Sequence, residues 1–157
     1  MQTEMSSAKD SLVVWLDAGD VLRRRLDWLR VFTVRRGFYS PYSSGTIEDW
    51  THPLTLTHLR ADQSVLPLRN LSGGIMAVDP RHEVAMRVIQ AWAECARTRE
   101  CIVPVGSSRL NHRQDQAVLT VLARQHGLVS DGLHQRNSAW LGISIHRDAQ
   151  SPAQGGQ

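Results

Sequence analysis

The stretch from Val13 to Asp20, Val-Val-Trp-Leu-Asp-Ala-Gly-Asp, constrains the possible fold more than any other. A short run of β-branched and aromatic residues predicts a buried strand. Asp17 and Asp20 follow it, and the small Ala and Gly between them would let a ligand approach the backbone. Because ligands in open α/β sheets bind beyond the carboxyl ends of strands, these carboxylates are expected at a binding site for Mg²⁺ or Mn²⁺. In the alternative interpretation, Asp17 merely ends the strand and Asp20 caps a following helix.

The length and composition fit one globular domain. The chain has 157 residues, of which 41% are hydrophobic and 21% charged, enough for a core of its own. Its formal net charge of +3 argues only weakly for acidic ligands. Cys95 and Cys101 are too few for a disulfide framework and lack metal-type spacing. Since the first 11 residues lack the apolar core of a signal peptide and no apolar run suits a bilayer, we expect a reducing, cytoplasmic location without a transmembrane segment.

Hydrophobic periodicity predicts alternating strands and helices. Besides the first strand, we expect a strand-like segment from residue 38 that becomes a turn by residue 45, and a strand at 75–78. Helices are expected at 21–34 with Gly37 as the stop, near 55–59, at 83–98 and at 112–126, with an extended stretch at 102–109. Asn111 is the expected N-cap of the last helix and Gly127 its C′ residue. Residues 1–11 and 149–157 are expected to be disordered, which leaves a domain over residues 12–148.

The first predicted helix is rich in arginine. Lys9 is the only lysine among the 18 basic residues of the chain, and six arginines lie between Arg23 and Arg36. A solvated basic face explains them more simply than a nucleic-acid surface, since no aromatic stacking platform is interleaved with them. Nucleic acid is therefore not an expected partner.

Two loops carry more chemical groups than packing requires. Trp50-Thr51-His52-Pro53 offers an indole that could stack on a sugar and an imidazole that could act as acid, base or ligand. In the plainer interpretation, Trp50 anchors the loop and His52 lies on the surface. Ser72-Gly73-Gly74 would bring bare backbone N–H groups close to a bound phosphate or hydroxyl, or would form a simple turn before the strand.

The densest polar cluster precedes and enters the last helix. It consists of Ser107, Ser108 and Arg109 with the run Asn111-His112-Arg113-Gln114-Asp115-Gln116. A helix N-terminus favours anions, so this cluster is a candidate binding site. Asp115 could also do no more than complement the helix dipole, and Arg113 could pair with it at the surface.

These segments together resemble a known family. The sequences at 15–20, 44–53, 72–75 and 106–116 are similar to a bacterial group of nucleotide-diphospho-sugar transferase-like proteins, which are themselves similar to glycosyltransferases of the GT-A fold. The resemblance spans roughly residues 12–128, and His-Arg-Gln-Asp-Gln at 112–116 is its most specific part. It implies a GT-A-like α/β domain, with a mixed sheet flanked by helices, that transfers a sugar from a nucleotide-diphosphate donor to a glycan or other acceptor.

The resemblance also implies roles for residues. Asp17 matches the first acid of the Asp-x-Asp motif that holds Mn²⁺ or Mg²⁺, whereas the second acid is displaced from Gly19 to Asp20. Asp115 is the expected catalytic residue, acting as base or positioning the acceptor. The remaining expected substrate-binding residues line the same site: Trp50, His52, Ser72, Gly73, Gly74, Ser108, Arg109, Asn111, His112, Arg113 and Gln116. The acids after the first strand and the helix entrance at residue 115 must therefore meet.

GT-A proteins carry nucleotide-binding βα units before the Asp-x-Asp strand, and only about a dozen residues precede that strand here. We therefore expect an N-terminally incomplete GT-A-like domain, lacking those units and with an exposed sheet edge through which it could self-associate. The alternative function is a non-catalytic carbohydrate- or partner-binding remnant of that fold. A nucleic-acid-binding module built on the arginine-rich helix ranks third.

Overall fold

The computed structural model describes residues 11–128 and 132–145, which form a mixed α/β arrangement of helices and small antiparallel sheets. The strands are β1 (Val13–Leu16), β2 (Val21–Leu22), β3 (Phe38–Tyr39), β4 (Tyr42–Thr46), β5 (Arg69–Leu71), β6 (Ile75–Val78) and β7 (Ile143–Ser144). The helices are α1 (Asp27–Arg36), α2 (Ile47–Trp50), α3 (Pro53–His58), α4 (Glu83–Ala96), α5 (Arg99–Ile102) and α6 (Gln114–Gln125). Two 3₁₀ helices, Gln63–Val65 and Gln135–Leu141, complete the described elements.

Strand β6 is the centre of the largest sheet. It pairs antiparallel with β1 on one side and with β3 on the other, with Val13 opposite Val78 and Leu16 opposite Ile75. All four β6 residues are buried. The α/β class and the strand at 75–78 are therefore confirmed, in the coarser form of a small antiparallel sheet with helices.

The two faces of β6 separate two helical layers, because successive side chains of a strand point to opposite faces. Ile75 and Ala77 pack in a cluster with Leu29 of α1. Met76 and Val78 pack instead with residues of α4 and α6, including Val88 and Leu119. Helix α1 and helix α6 consequently lie on opposite sides of this sheet.

Strand β1 differs from its predicted burial. Val13, Val14 and Trp15 are 57%, 37% and 50% exposed, because β1 is an edge strand of the described sheet and pairs only with β6 there. An apolar run identifies a strand but not its place in the sheet, so this prediction of burial was wrong.

The first predicted helix begins later than expected. Val21 and Leu22 form strand β2 against β7, and helix α1 starts only at Asp27. Asp20 therefore does not cap a helix, and its N–H donates to the Asp17 carbonyl in a turn at 2.9 Å. Gly37 does end α1, in the left-handed conformation with φ of 75°.

Helices α3 and α4 lie close to their predicted positions, whereas the extended stretch predicted at 102–109 does not form. Residues 99–102 make the short helix α5, and turns follow. Helix α6 starts at Gln114 rather than at residue 112, and Arg113 occupies its N-cap position. Gly127, with φ of 70°, follows the helix as predicted.

Cys95 and Cys101 form a disulfide between the end of α4 and helix α5, where both residues are buried. The number and spacing of the cysteines did not indicate this bond, because two cysteines alone do not make a framework. The cytoplasmic location stays a prediction. Within residues 11–128 and 132–145, no helix is both long and apolar enough to cross a bilayer. The predicted disordered segments lie outside the described residues, except for Ser11.

Candidate functional site

The glycine loop, Ser72-Gly73-Gly74, connects β5 to the central strand β6. The N–H of Ser72 donates to the Pro41 carbonyl at 2.8 Å, and the Ser40 hydroxyl donates to the Ser72 carbonyl at 2.9 Å. The Ser72 hydroxyl oxygen in turn accepts from the N–H of Gly74 at 3.2 Å. These bonds fix the conformation of the loop from inside. Because Gly73 and Gly74 lack side chains, neighbouring residues can approach their backbone closely.

Asp17 lies against Gly74. The Asp17 N–H donates to the Gly74 carbonyl at 3.0 Å, which extends the β1–β6 pairing by one bond. A side-chain carbon added at Gly74 would lie only 2.6 Å from the carboxylate oxygen Oδ2 of Asp17. The carboxylate therefore occupies the space that the missing side chain leaves, and glycine is required for this close approach.

Gln116 lies against Gly73 from the other side. A side-chain carbon at Gly73 would come within 3.0 Å of Cβ of Gln116. The Gln116 amide also donates to the Leu71 carbonyl at 2.8 Å, immediately before the glycine loop. The acid-bearing turn after β1 and the first turn of α6 thus contact adjacent residues of one loop, as the sequence interpretation required.

Two tryptophans join the same two regions. The indole N–H of Trp92 donates to the Asp115 carbonyl at 2.9 Å, and its ring packs edge-on against Trp15 with ring centres 6.3 Å apart. The sequence placed Trp92 on the apolar face of α4 but gave no role to its N–H. A buried or half-buried Trp needs a hydrogen-bond acceptor, and that requirement was the only available signal.

Asp115 itself is exposed in the first turn of α6. Its backbone carbonyl is bound by Trp92, whereas no hydrogen bond or ion pair of its carboxylate is found among the described residues. The negative charge suits the N-terminal end of the helix dipole. This carboxylate is therefore positioned by its backbone and available to solvent.

Trp50 and Arg113 form a second contact beside this helix entrance. The Arg113 guanidinium carbon lies 4.1 Å from the centre of the Trp50 ring, and the Arg113 N–H donates to the Trp50 carbonyl at 3.0 Å. Both side chains are half-buried. The stacking holds a permanent positive charge next to the first turn of α6.

His112 is buried, with 1% of its surface exposed. Its Nδ1 accepts the N–H of His52 at 3.2 Å, so the ring proton resides on Nε2, which lies 3.1 Å from the Ile102 carbonyl. Burial lowers the pKa of His112 below its ordinary value, and the neutral form is favoured. His112 joins three segments from inside the protein, whereas the sequence interpretation placed it on the lining of a pocket.

The loop before α6 folds onto itself. The Asn111 side chain accepts from the N–H of Ser108 at 2.7 Å and donates to the Gly106 carbonyl at 3.1 Å. Asn111 therefore stabilises the loop through these hydrogen bonds and is not the predicted N-cap of the helix. Ser108 and Arg109 are exposed, and no described contact brings them to the glycine loop.

His52 caps helix α3 through its Nδ1, which accepts from the N–H of Leu54 at 3.2 Å. Its Nε2 would lie 3.6 Å from a side-chain carbon added at Gly106. The imidazole consequently stands between α3 and the loop at residue 106, next to His112 at a ring-centre distance of 6.4 Å.

The predicted metal ligands are Asp17 and Asp20. Across the described ranges 11–128 and 132–145, no group of three or more His, Cys, Asp or Glu side chains is arranged to hold a metal ion. Asp17 and Asp20 share one turn after β1. Mg²⁺ is commonly held by one or two carboxylates together with substrate phosphates and water, so this pair fits such a cation only with a phosphate ligand present.

Comparison of the chain with protein-family models, with curated proteins and with solved structures finds no significant match.

Proposed function

We propose that this chain is a GT-A-like glycosyltransferase domain that transfers a sugar from a nucleotide-diphosphate donor. One observation supports the proposal above the others: Asp17 and Gln116, which are distant in sequence, contact adjacent glycines of one loop. The motifs that resemble transferases are thereby neighbours. Packing alone would not need an exposed acid, Asp17, beside one glycine and a polar amide, Gln116, beside the next.

In this proposal Asp17 and Asp20 would hold Mg²⁺ or Mn²⁺ together with phosphate oxygens of the donor. Such a cation would supply electrostatic stabilisation of the negative charge that develops on the leaving diphosphate. The space that a side chain at Gly74 would fill holds the Asp17 carboxylate, and the Gly74 N–H is already bonded to the Ser72 hydroxyl. A donor phosphate would therefore meet this loop through the cation at Asp17.

Asp115 is the proposed catalytic residue. An exposed carboxylate without a protein partner among the described residues is free to accept the proton of an acceptor hydroxyl, or to orient that hydroxyl. The Trp92 indole N–H binds the backbone carbonyl of Asp115, which fixes the position from which the carboxylate side chain extends. Gln116 would contact sugar hydroxyls with the oxygen of its amide, because its nitrogen is bound to Leu71.

The Trp50 loop and the buried His112 lie next to this proposed site. The stacked Arg113 guanidinium would attract the diphosphate, and Trp50 would provide an apolar surface for a sugar or base. His112 is proposed as a positioning residue, because both of its ring nitrogens bind the protein. Ser108, Arg109 and Asn111 would contact only an acceptor that extends over their loop.

The alternative is a carbohydrate- or partner-binding remnant of the same fold. The exposed edge strand β1 favours it, because a complete nucleotide site would need structure beside that edge. The two functions differ in turnover. A remnant binds a ligand without cleaving the donor.

The test is donor cleavage. We expect the protein, incubated with Mn²⁺ and a panel of UDP- and GDP-sugars, to release the nucleoside diphosphate, and Asp115→Asn to abolish that release while leaving the circular dichroism spectrum unchanged. Glu83→Gln is the matched control, since Glu83 is also an exposed acid in the first turn of a helix, beyond the opposite end of β6. Equal turnover of Asp115→Asn and the wild type would remove Asp115 from catalysis, and no cleavage with any donor would favour the remnant.

A further inference from the structure

Helix α1 exposes an apolar stripe on the side that faces away from the sheet. Trp28, Val31 and Val34 are 56%, 56% and 45% exposed, and their spacing of three residues places them along one side of the helix. Leu29 and Thr33 of the same helix are fully buried against the sheet. The helix is therefore apolar on both sides, and within the described part of the chain only the side that faces the sheet is buried.

Trp140 enlarges this stripe. It is 54% exposed and stacks on Trp28, with ring centres 5.6 Å apart and an angle of 30° between the rings. Val21 and Leu22 of the neighbouring strand β2 are also exposed, at 43% and 54%. We define the α1 surface as these exposed apolar residues together with the exposed arginines around them; the apolar members are Val21, Leu22, Trp28, Val31, Val34 and Trp140.

The arginines of the α1 surface give it a strong positive charge. Those that are exposed on or next to α1 are Arg23, Arg24, Arg25, Arg30 and Arg35, and Arg136 lies beside Trp140. Arg24 donates to the carbonyls of Ala139 and Trp140, at 3.1 and 3.3 Å, and so fixes the stacked tryptophans next to the charge. The acid of this helix, Asp27, pairs with Arg25 at 3.3 Å.

We infer that the α1 surface docks on an anionic lipid bilayer. Tryptophan and aliphatic side chains insert at the boundary between head groups and acyl chains, while flanking arginines bind anionic head groups. Each component alone has a plain explanation, because single exposed apolar residues are common and a basic helix face can be merely solvated. The two together, on one face, match the two components of a lipid surface.

A nucleic acid matches the α1 surface less well. Phosphates would engage the arginines, but the valines and the paired tryptophans would gain little from a backbone of phosphate and sugar. Helix α1 has ten residues, too few to cross a bilayer, and would lie in the plane of the interface. The proposed docking is peripheral and depends on salt.

The experiment is flotation of the full chain with phosphatidylcholine vesicles, with or without about one third phosphatidylglycerol. We expect binding only to the anionic vesicles, weakened by added salt. The double variant Arg30→Glu, Arg35→Glu should bind at least about 20-fold more weakly, since each arginine near an anionic surface contributes about fivefold to affinity. Val31→Asp should also weaken binding, because it places a charge in the apolar stripe.

Two control variants separate this surface from overall charge and hydrophobicity. Arg97→Glu, Arg99→Glu makes the same change of net charge at the end of α4 and in α5, in the opposite layer. Leu54→Asp alters an equally exposed apolar residue on α3. Both controls should bind vesicles like the wild type.

Three results would overturn the inference. They are no difference between anionic and neutral vesicles, an equal loss of binding in the control variants, and binding of duplex DNA or RNA through Arg30 and Arg35 without vesicle binding. Self-association of the chain that requires Val31 and competes with vesicles would likewise assign the α1 surface to a second copy.

Discussion

The two sides of the glycine loop are built in different ways. On the helix side, the first turn of α6 and the Trp50 loop are tied to the interior by His112, Gln116 and Trp92. On the strand side, Asp17 follows the exposed edge strand β1, its N–H donates to the Gly74 carbonyl, and its carboxylate lies against Gly74. The first side depends on buried contacts, whereas the second depends on close approach to a glycine.

Because the two sides are held differently, substitutions on the two sides should have separable effects. A substitution on the helix side removes buried hydrogen bonds, so it should reduce the stability of the fold and any activity together. A substitution on the strand side removes an exposed carboxylate, so it should alter ligand binding with little effect on stability. The following predictions test that separation.

The largest expected effect is that of His112→Ala. It removes a fully buried ring and leaves the His52 N–H and the Ile102 carbonyl without their partner, which should lower the free energy of unfolding by about 3 kcal/mol. Urea denaturation followed by tryptophan fluorescence measures it. His58→Ala, at the exposed end of α3, is the control and should change stability by less than about 0.5 kcal/mol. If both variants changed the free energy of unfolding by similarly small amounts, buried contacts would not distinguish the helix side from the strand side.

The pH dependence of stability should follow from the same buried ring. Burial lowers the pKa of His112 below its ordinary value in the folded protein, so the unfolded chain binds the proton more readily. The stabilisation is complete above the ordinary histidine pKa and is lost as the pH falls below it. His134, whose pKa burial also lowers, contributes in the same direction. Urea denaturation between about pH 7.5 and about pH 5.5 should show a smaller loss for His112→Gln than for the wild type.

Gly73→Ala should have an intermediate effect. The added carbon would lie 3.0 Å from Cβ and 3.4 Å from Cα of Gln116, so α6 or the loop must shift slightly, at a cost of about 1 kcal/mol. Gly127→Ala serves as a comparison that strains a left-handed glycine without crowding any neighbour within 4 Å. If Gly73→Ala proves neutral in thermal unfolding, the contact between the loop and Gln116 is looser than described.

Asp17→Asn should have the smallest effect on stability, below about 0.5 kcal/mol, because its side chain is exposed just after an edge strand. The amide keeps the shape of the carboxylate and removes its charge. Thermal unfolding of the variant beside the wild type measures it. A loss comparable to that of His112→Ala would show that the strand side is structural as well.

Elements that are marked by a local sequence pattern could be predicted from the sequence. Gly37 and Gly127 end their helices as predicted, and the strand at Ile75–Val78 and the helix from Glu83 lie where their periodicity placed them. The burial of a strand could not be predicted from its own residues, because burial depends on which strands and helices pack against it. Strands β1 and β6 have equally apolar sequences, yet β6 is central and β1 is an edge, and that choice depends on partners distant in sequence.

The sequence predicted that Asp17 and the first turn of α6 lie close together, and Asp17 and Gln116 do contact adjacent glycines of one loop. It did not predict the structural roles of His112 and Asn111. The burial of His112 and the return of Asn111 onto Gly106 depend on which groups compete for each hydrogen bond, and a linear pattern does not contain that information. The Cys95–Cys101 bond was missed for the same reason, since six residues of separation join two helices only when the chain turns between them.

The most direct test of the central claim, that both sides of the glycine loop form one donor site, is calorimetric titration of the protein with UDP and GDP in the presence and absence of Mn²⁺. We expect binding that requires Mn²⁺. Affinity should fall at least about tenfold in Asp17→Asn and in Gly74→Ala, whose added carbon would lie 2.6 Å from Oδ2 of Asp17. Absence of binding to the wild type, or affinity that neither substitution changes, would contradict it.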